Sequence, residues 1–114
     1  MARYARREGI NHGALLEAVQ RAEFGLIDAD LGGGLIKQRV ARKGQGRSGG
    51  HRMIIAYRRA GRAVFLLGFA KSMRANIGRD DIAELREIGS NWLKASDDLI
   101  TEAIDQGKLE EVTQ

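Results

Sequence analysis

A chain of 114 residues has room for one domain spanning 1–114 and one hydrophobic core. It has no Cys and only two His, His12 and His51, which excludes disulfides and thiolate metal sites and leaves no imidazole pair with zinc-ligand spacing; neither metal nor cofactor is expected. The net charge is +4, which by itself points only weakly to an acidic partner.

The N-terminal stretch M-A-R-Y-A-R-R-E reads as helical or loose. It has charge but no apolar run behind it, unlike a secretory signal, so the cytoplasm is the expected compartment. Between Asn11 and Ile27, the residues Leu15, Ala18, Val19, Ala22 and Leu26 recur at the spacing of an amphipathic helix, with Asn11 as its N-cap. Asp28 to Gly34 reads as a loop, because three glycines close it. Three strands are expected next, at Leu35 to Arg42, Arg52 to Arg58 and Ala63 to Ala70. In the first, Ile36 and Val40 share one face, with Lys37 and Arg39 on the other. In the second, Met53, Ile55 and Tyr57 oppose Arg52, Ile54, Ala56 and Arg58. The third is apolar on both faces and, at eight residues, far too short to span a bilayer. A short connection around Gly61 predicts a hairpin between the second and third.

Ile82, Leu85, Ile88, Trp92 and Leu93 then form the apolar stripe of a helix that Gly89 interrupts. Ser96 reads as the N-cap of a last helix that buries Leu99, Ile100, Ala103 and Ile104 and ends at Gly107. The expected fold class is α+β: a small antiparallel sheet of about three strands with an N-terminal helix and two C-terminal helices.

Charge is unevenly distributed over these elements. From Lys37 to Arg79 there are twelve Lys and Arg and no acid, whereas Asp80 to Gln114 holds ten acids against three bases. A folded, acid-free basic block sets up a field that attracts polyanions, as nucleic-acid binders do; the alternative is a basic face kept for solubility. The loop Lys43 to Gly50 contains Gly44-x-Gly46-x-x-Gly49, but a strand follows it where a dinucleotide fingerprint requires a helix. A mobile basic loop whose backbone approaches phosphates, or a plain hairpin loop, are the readings left. Lys37, Arg39, Arg52, Lys71 and Arg74 converge if the three strands are neighbours. Fixed cations of this kind suit cleavage of RNA, where the ribose 2′-OH attacks the adjacent phosphorus and the added negative charge must be stabilised. Arg42 at the end of the first strand, Lys43 and Arg47 of the loop, and His51 beside Arg52 are the further candidates for binding RNA. No carboxylate pair, Ser–His–Asp set or Cys nucleophile can be assembled, so carboxylate or metal-assisted chemistry is not expected.

The run G-L-I-K-Q-R-V-A-R-K-G-Q-G-R-S-G-G-H-R-M-I-I-A-Y, followed by F-L-L-G-F-A-K-S-M-R-A-N-I, resembles the HigB-like branch of the RelE toxin superfamily. The resemblance covers most of the chain. It implies a toxin of a bacterial type II toxin–antitoxin pair that cleaves mRNA on the ribosome and is neutralised by an antitoxin, often of helix-turn-helix type. It further implies that Lys37 and Arg39 belong to the basic strand, that Arg52, Lys71 and Arg74 are the catalytic candidates, and that basic side chains do the work of a metal. Ser72-Met73 stands where Asn-Glu is frequent, and relatives begin with a strand where Met1 to Ile10 does not read as one. A catalytically silent module that binds RNA or the antitoxin is the alternative. A DNA-binding regulator fits worse, because the bases lie on strands and loops and not on a recognition helix.

Overall fold

The computed structural model of the chain describes residues 2–42, 46–70 and 77–113. Along it run α1 (Ala2–Glu8), α2 (His12–Glu23), β1 (Ala29–Gly32), β2 (Leu35–Arg42), β3 (Gly46–Arg58), β4 (Arg62–Ala70), α3 (Arg79–Lys94) and α4 (Asp97–Asp105). The four strands form one antiparallel sheet in the order β1-β2-β3-β4, so each pairs with its sequence neighbour. This is the expected α+β fold, with one strand more than the three predicted and α1 as an added short helix.

The added strand, β1, lies inside the segment read as a loop. Gly32 pairs with Leu35, and between them Gly33 and Gly34 both have positive φ, +61° and +83°. A two-residue turn with both φ positive matches the twist of the strands it joins, and only glycine adopts it without strain. From α3, Arg86 donates to the Leu31 carbonyl from Nε at 3.0 Å and Nη2 at 2.5 Å.

One face of the sheet is sealed by α1 and α2. Ile36, Val40, Met53 and Ile55 meet Ala5, Ile10, Leu15, Ala18 and Ala22 there, all buried. Each aliphatic side chain taken fully out of water contributes about 1.5–3 kcal/mol. Asn11 caps α2 as predicted, accepting from the Ala14 N–H at 2.8 Å. The helix stops at Glu23, so Leu26 lies beyond its apolar stripe and is 61% exposed. Gln38 is fully buried on this face with its amide satisfied: it donates to the carbonyls of Ala18 (3.0 Å) and Leu26 (3.1 Å) and accepts from the Asp28 N–H (2.7 Å). That pins the α2–β1 connection to β2.

Over the opposite face lies α3, and Gly89 explains how closely. A Cβ built there would stand 2.9 Å from the Ala56 Cβ and 3.3 Å from Leu66. The glycine that interrupts the sequence stripe is thus the contact point of helix and sheet. Ile88, predicted on the buried stripe, is 41% exposed. Ser96 caps α4 as expected, accepting from Leu99 N–H at 3.1 Å. Gly107 has φ +75°, and the Lys108 N–H returns to the Ala103 carbonyl at 2.9 Å, closing the helix. Of the predicted buried face of α4, Ala103 is buried but Leu99 is 49% exposed.

The β3–β4 hairpin reaches the end of α3. Arg58 donates to the Leu93 carbonyl at 2.8 Å, and Arg62 donates to those of Trp92 and Ala95, both at 2.7 Å, and to Asp97 at 2.9 Å. Cations here neutralise the partial negative charge of a helix C-terminus. Among the described residues no helix is long and apolar enough to cross a membrane.

Candidate nucleic-acid interface

Strand register decides which basic side chains meet. Lys37 stands opposite Ile54, Arg39 opposite Arg52, and Arg52 in turn opposite Phe69. Directly opposed residues of antiparallel strands point to the same face. Lys37, Arg39, Arg52 and Phe69 therefore share the α3 side of the sheet, towards the end away from the Gly89 contact. Arg39 is exposed, and Lys37 and Arg52 are half-buried.

Two arginines directly across a strand pair repel each other. Arg39 turns away to Asp28, which accepts from its guanidinium at 3.0 Å and from its backbone N–H at 2.7 Å. The same carboxylate accepts from Arg21 at 3.3 Å. Arg21 is nearly buried; it also bonds Glu17 at 2.7 Å and donates to the Arg39 carbonyl. Burial raises the Asp28 pKa, but the Arg39 backbone N–H, the Arg39 guanidinium and Arg21 outweigh it, and the carboxyl lies below its ordinary value. Lys37 and Arg52 have no ion pair among the described residues; Arg52 makes one long bond, 3.4 Å, to the carbonyl of His51. They remain as cations facing outward beside a third that is held by its own counter-ion.

His51 does not join them. It is fully buried on the opposite face, its Nδ1 2.7 Å from the Tyr4 hydroxyl, with the two rings edge to face. Reading it as an RNA contact is therefore corrected: the alternation that aims Arg52 with Ile54 aims His51 with Met53. That signal was present in the sequence. The predicted loop is shorter than Lys43 to Gly50, since β3 begins at Gly46. Lys43, Lys71 and Arg74 lie outside the described residues, as do the side chains of Arg42 and Arg47. Two further members of the basic block, Arg58 and Arg62, hold α3 and are unavailable to a ligand.

A groove of about 780 Å³ runs past β4, walled by apolar residues such as Leu16, Phe65, Ile88 and Ile104. On its wall Arg62 is already bonded to carbonyls and Arg6 to Glu110, while Lys108 stands beside Glu110 and Glu111 in the lining. Among the described residues no group of three His, Cys, Asp or Glu side chains is placed to hold a metal ion. What the sheet does offer is a guanidinium fork and an ammonium at fixed positions on paired strands. Those groups bind phosphate oxygens and stabilise charge that develops on them.

Comparison with known proteins gives a family. No curated protein and no solved structure matches the chain. The family model described as the RelE toxin of the RelE / RelB toxin–antitoxin system matches residues 1–112. Matched along nearly its whole length, the chain belongs to the RelE family of toxins from toxin–antitoxin pairs.

Proposed function

We propose that this toxin is an mRNA endoribonuclease of the HigB-like branch that acts on the ribosome in the cytoplasm, and that an antitoxin of helix-turn-helix type silences it. The observation that carries this reading is the Lys37–Arg39–Arg52 cluster on one face of paired strands, with two of its three cations paired to no acid among the described residues. Like charges held side by side weaken a fold unless something outside it binds them, and a phosphodiester chain is the fitting ligand.

In the reaction we infer, the 2′-oxygen of a ribose forms a bond to the neighbouring phosphorus and the bond to the 5′-oxygen breaks. The 2′-OH proton goes to a base and the leaving oxygen takes one up. Arg52 holds the phosphoryl oxygens as charge builds on them; Lys71 and Arg74, by the resemblance, complete the catalytic group. Lys37, Arg39, Arg42, Lys43 and Arg47 guide the strand. Basic side chains fill the role that a metal ion has in other nucleases.

The test is addition of the purified protein to a bacterial translation extract, with mRNA 5′ ends mapped by primer extension. New in-frame ends that fade with Arg52→Ala and Lys71→Ala are the expected result. Intact mRNA and undiminished translation, from protein shown to be folded, would overturn the nuclease reading and leave a module that binds RNA or the antitoxin without cutting.

A further inference from the structure

Resting on that reading, we propose that Phe69 is a base-stacking residue of the same site, its ring taking the face of a nucleobase beside the phosphate that Arg52 holds. The ligand is then single-stranded RNA recognised through its bases as well as its charge.

The argument starts from an irregularity in β4. Phe65 packs into the core on the α1/α2 face, and strict alternation would send Leu67 and Phe69 to that face as well. Pairing, however, moves from Ile55↔Phe65 to Ile54↔Leu67, one residue along β3 against two along β4. Leu66 is the extra residue of a β-bulge, and beyond it the faces of β4 are exchanged. Gly68 now points at the helices: a Cβ there would lie 2.7 Å from the Tyr4 ring and 2.8 Å from the Met53 sulfur. Phe69 consequently points the other way, in register with Arg52.

On the sealed face Tyr4 and Met53 leave room for a glycine and no larger side chain, and the exchange sets Phe69 beside the cations. The bulge interrupts the ladder and takes an aromatic side chain from the sealed face to a half-buried position in a row with two arginines. Of one Trp, two Tyr and three Phe in the chain, Tyr4 meets His51, Tyr57 and Phe65 pack on the core, Phe24 is exposed at the end of α2, and Trp92 lines the groove past β4. Phe69 is the aromatic that shares a row with the cations. A flat ring next to phosphate-binding groups is the arrangement by which single-stranded nucleic acids are held, since every base presents a π-face.

The experiment compares wild type, Phe69→Leu, Phe69→Trp and Arg52→Ala in the translation extract, each first shown to melt cooperatively. Phe69→Leu keeps apolar bulk and loses the ring. It is expected to slow cutting about tenfold to a hundredfold and to flatten the base preference around the cut, while Phe69→Trp retains both. As a readout that a packing role would not move, Phe69→Trp in a Trp92→Phe background is titrated with a short single-stranded oligoribonucleotide. Its fluorescence is expected to be quenched by that oligonucleotide and not by an abasic one of equal length. If Phe69→Leu cuts at the wild-type rate and sites while Arg52→Ala does not, or if both oligonucleotides quench alike, stacking is overturned and the nuclease reading stands. If wild type makes no cuts, the nuclease reading fails first and the assignment of Phe69 with it.

Discussion

The two ends of the sheet use the same kind of residue for opposite purposes. At the end with the tight turns, Arg58, Arg62 and Arg86 all donate to main-chain carbonyls: those of Leu93, of Trp92 and Ala95, and of Leu31. These guanidinium groups fasten α3 across the hairpins. At the other end, Lys37 and Arg52 meet no acid among the described residues, and Arg39 meets Asp28, which comes from outside the basic block. The difference lies in what each end provides: α3 presents the bare carbonyls of its C-terminus to one, and among the described residues nothing comparable faces the other. A run of positive charge is therefore not one feature. Each cation must be assigned by what it touches.

Breaking the open end should cost activity and leave the fold intact. Arg52→Ala is expected to lower the rate of mRNA cutting about a hundredfold or more, the scale for losing a donor to developing negative charge. Its urea midpoint should stay unchanged or rise, because Arg39 loses a like-charged neighbour, an effect of about 0.2–1 kcal/mol. A cutting defect that merely follows a fall in stability would erase the contrast between the ends.

Breaking the fastened end should do the reverse. Arg62→Ala leaves two carbonyls at the end of α3 without their donor, and a loss of about 2–3 kcal/mol in urea unfolding is expected. Gly89→Ala sharpens the point, since two effects of opposite sign compete. Helix propensity alone favours Ala by about 1 kcal/mol. A Cβ at 2.9 Å from that of Ala56 has no flexible neighbour to yield, and overpacking of this sort costs about 1–3 kcal/mol. A net loss of stability is expected, and a gain would show that α3 does not sit so close.

The smallest effect belongs to Asp28. The Arg39 N–H and guanidinium, with Arg21 beside them, outweigh its burial and hold its carboxyl below the ordinary aspartate range in the folded protein. The sign follows from linkage: stability from this group is fully present above the unfolded pKa and is lost as pH falls through the folded one. Asp28→Asn should therefore remove part of the acid sensitivity below about pH 4, the ordinary range of Asp, and little at neutral pH. Chemical denaturation at pH 3 and pH 7 checks this.

Much of the architecture was legible in the residues. Asn11, Ser96 and Gly107 marked helix ends through their own side-chain or backbone chemistry, and the apolar alternation of β2 and β3 gave their faces. Three things were hidden for physical reasons. β1 is four residues long, and its Gly33-Gly34 turn is stated only by glycines that a loop would also contain. The bulge at Leu66 leaves no mark in a strand that is apolar on both sides, so Phe69 could not be assigned to a face. Arg58 and Arg62 looked like the other bases, because their carbonyl partners come from α3, far along the chain. His51 is the instructive error: nearness in sequence placed it with Arg52, whereas the strand's two-residue period sets them on opposite faces.

The order of the strands also governs how quickly this toxin forms. Every strand pairs with the one before it, so the sheet can zip hairpin by hairpin without closing a large loop between distant segments. The sequence has no proline and no cysteine, so neither prolyl isomerisation nor disulfide exchange can insert a step of seconds or longer. Newly made or freshly released chain thus reaches its native state without a kinetic trap of either kind, and the time available for an inhibitor to bind before the basic face is assembled is correspondingly short.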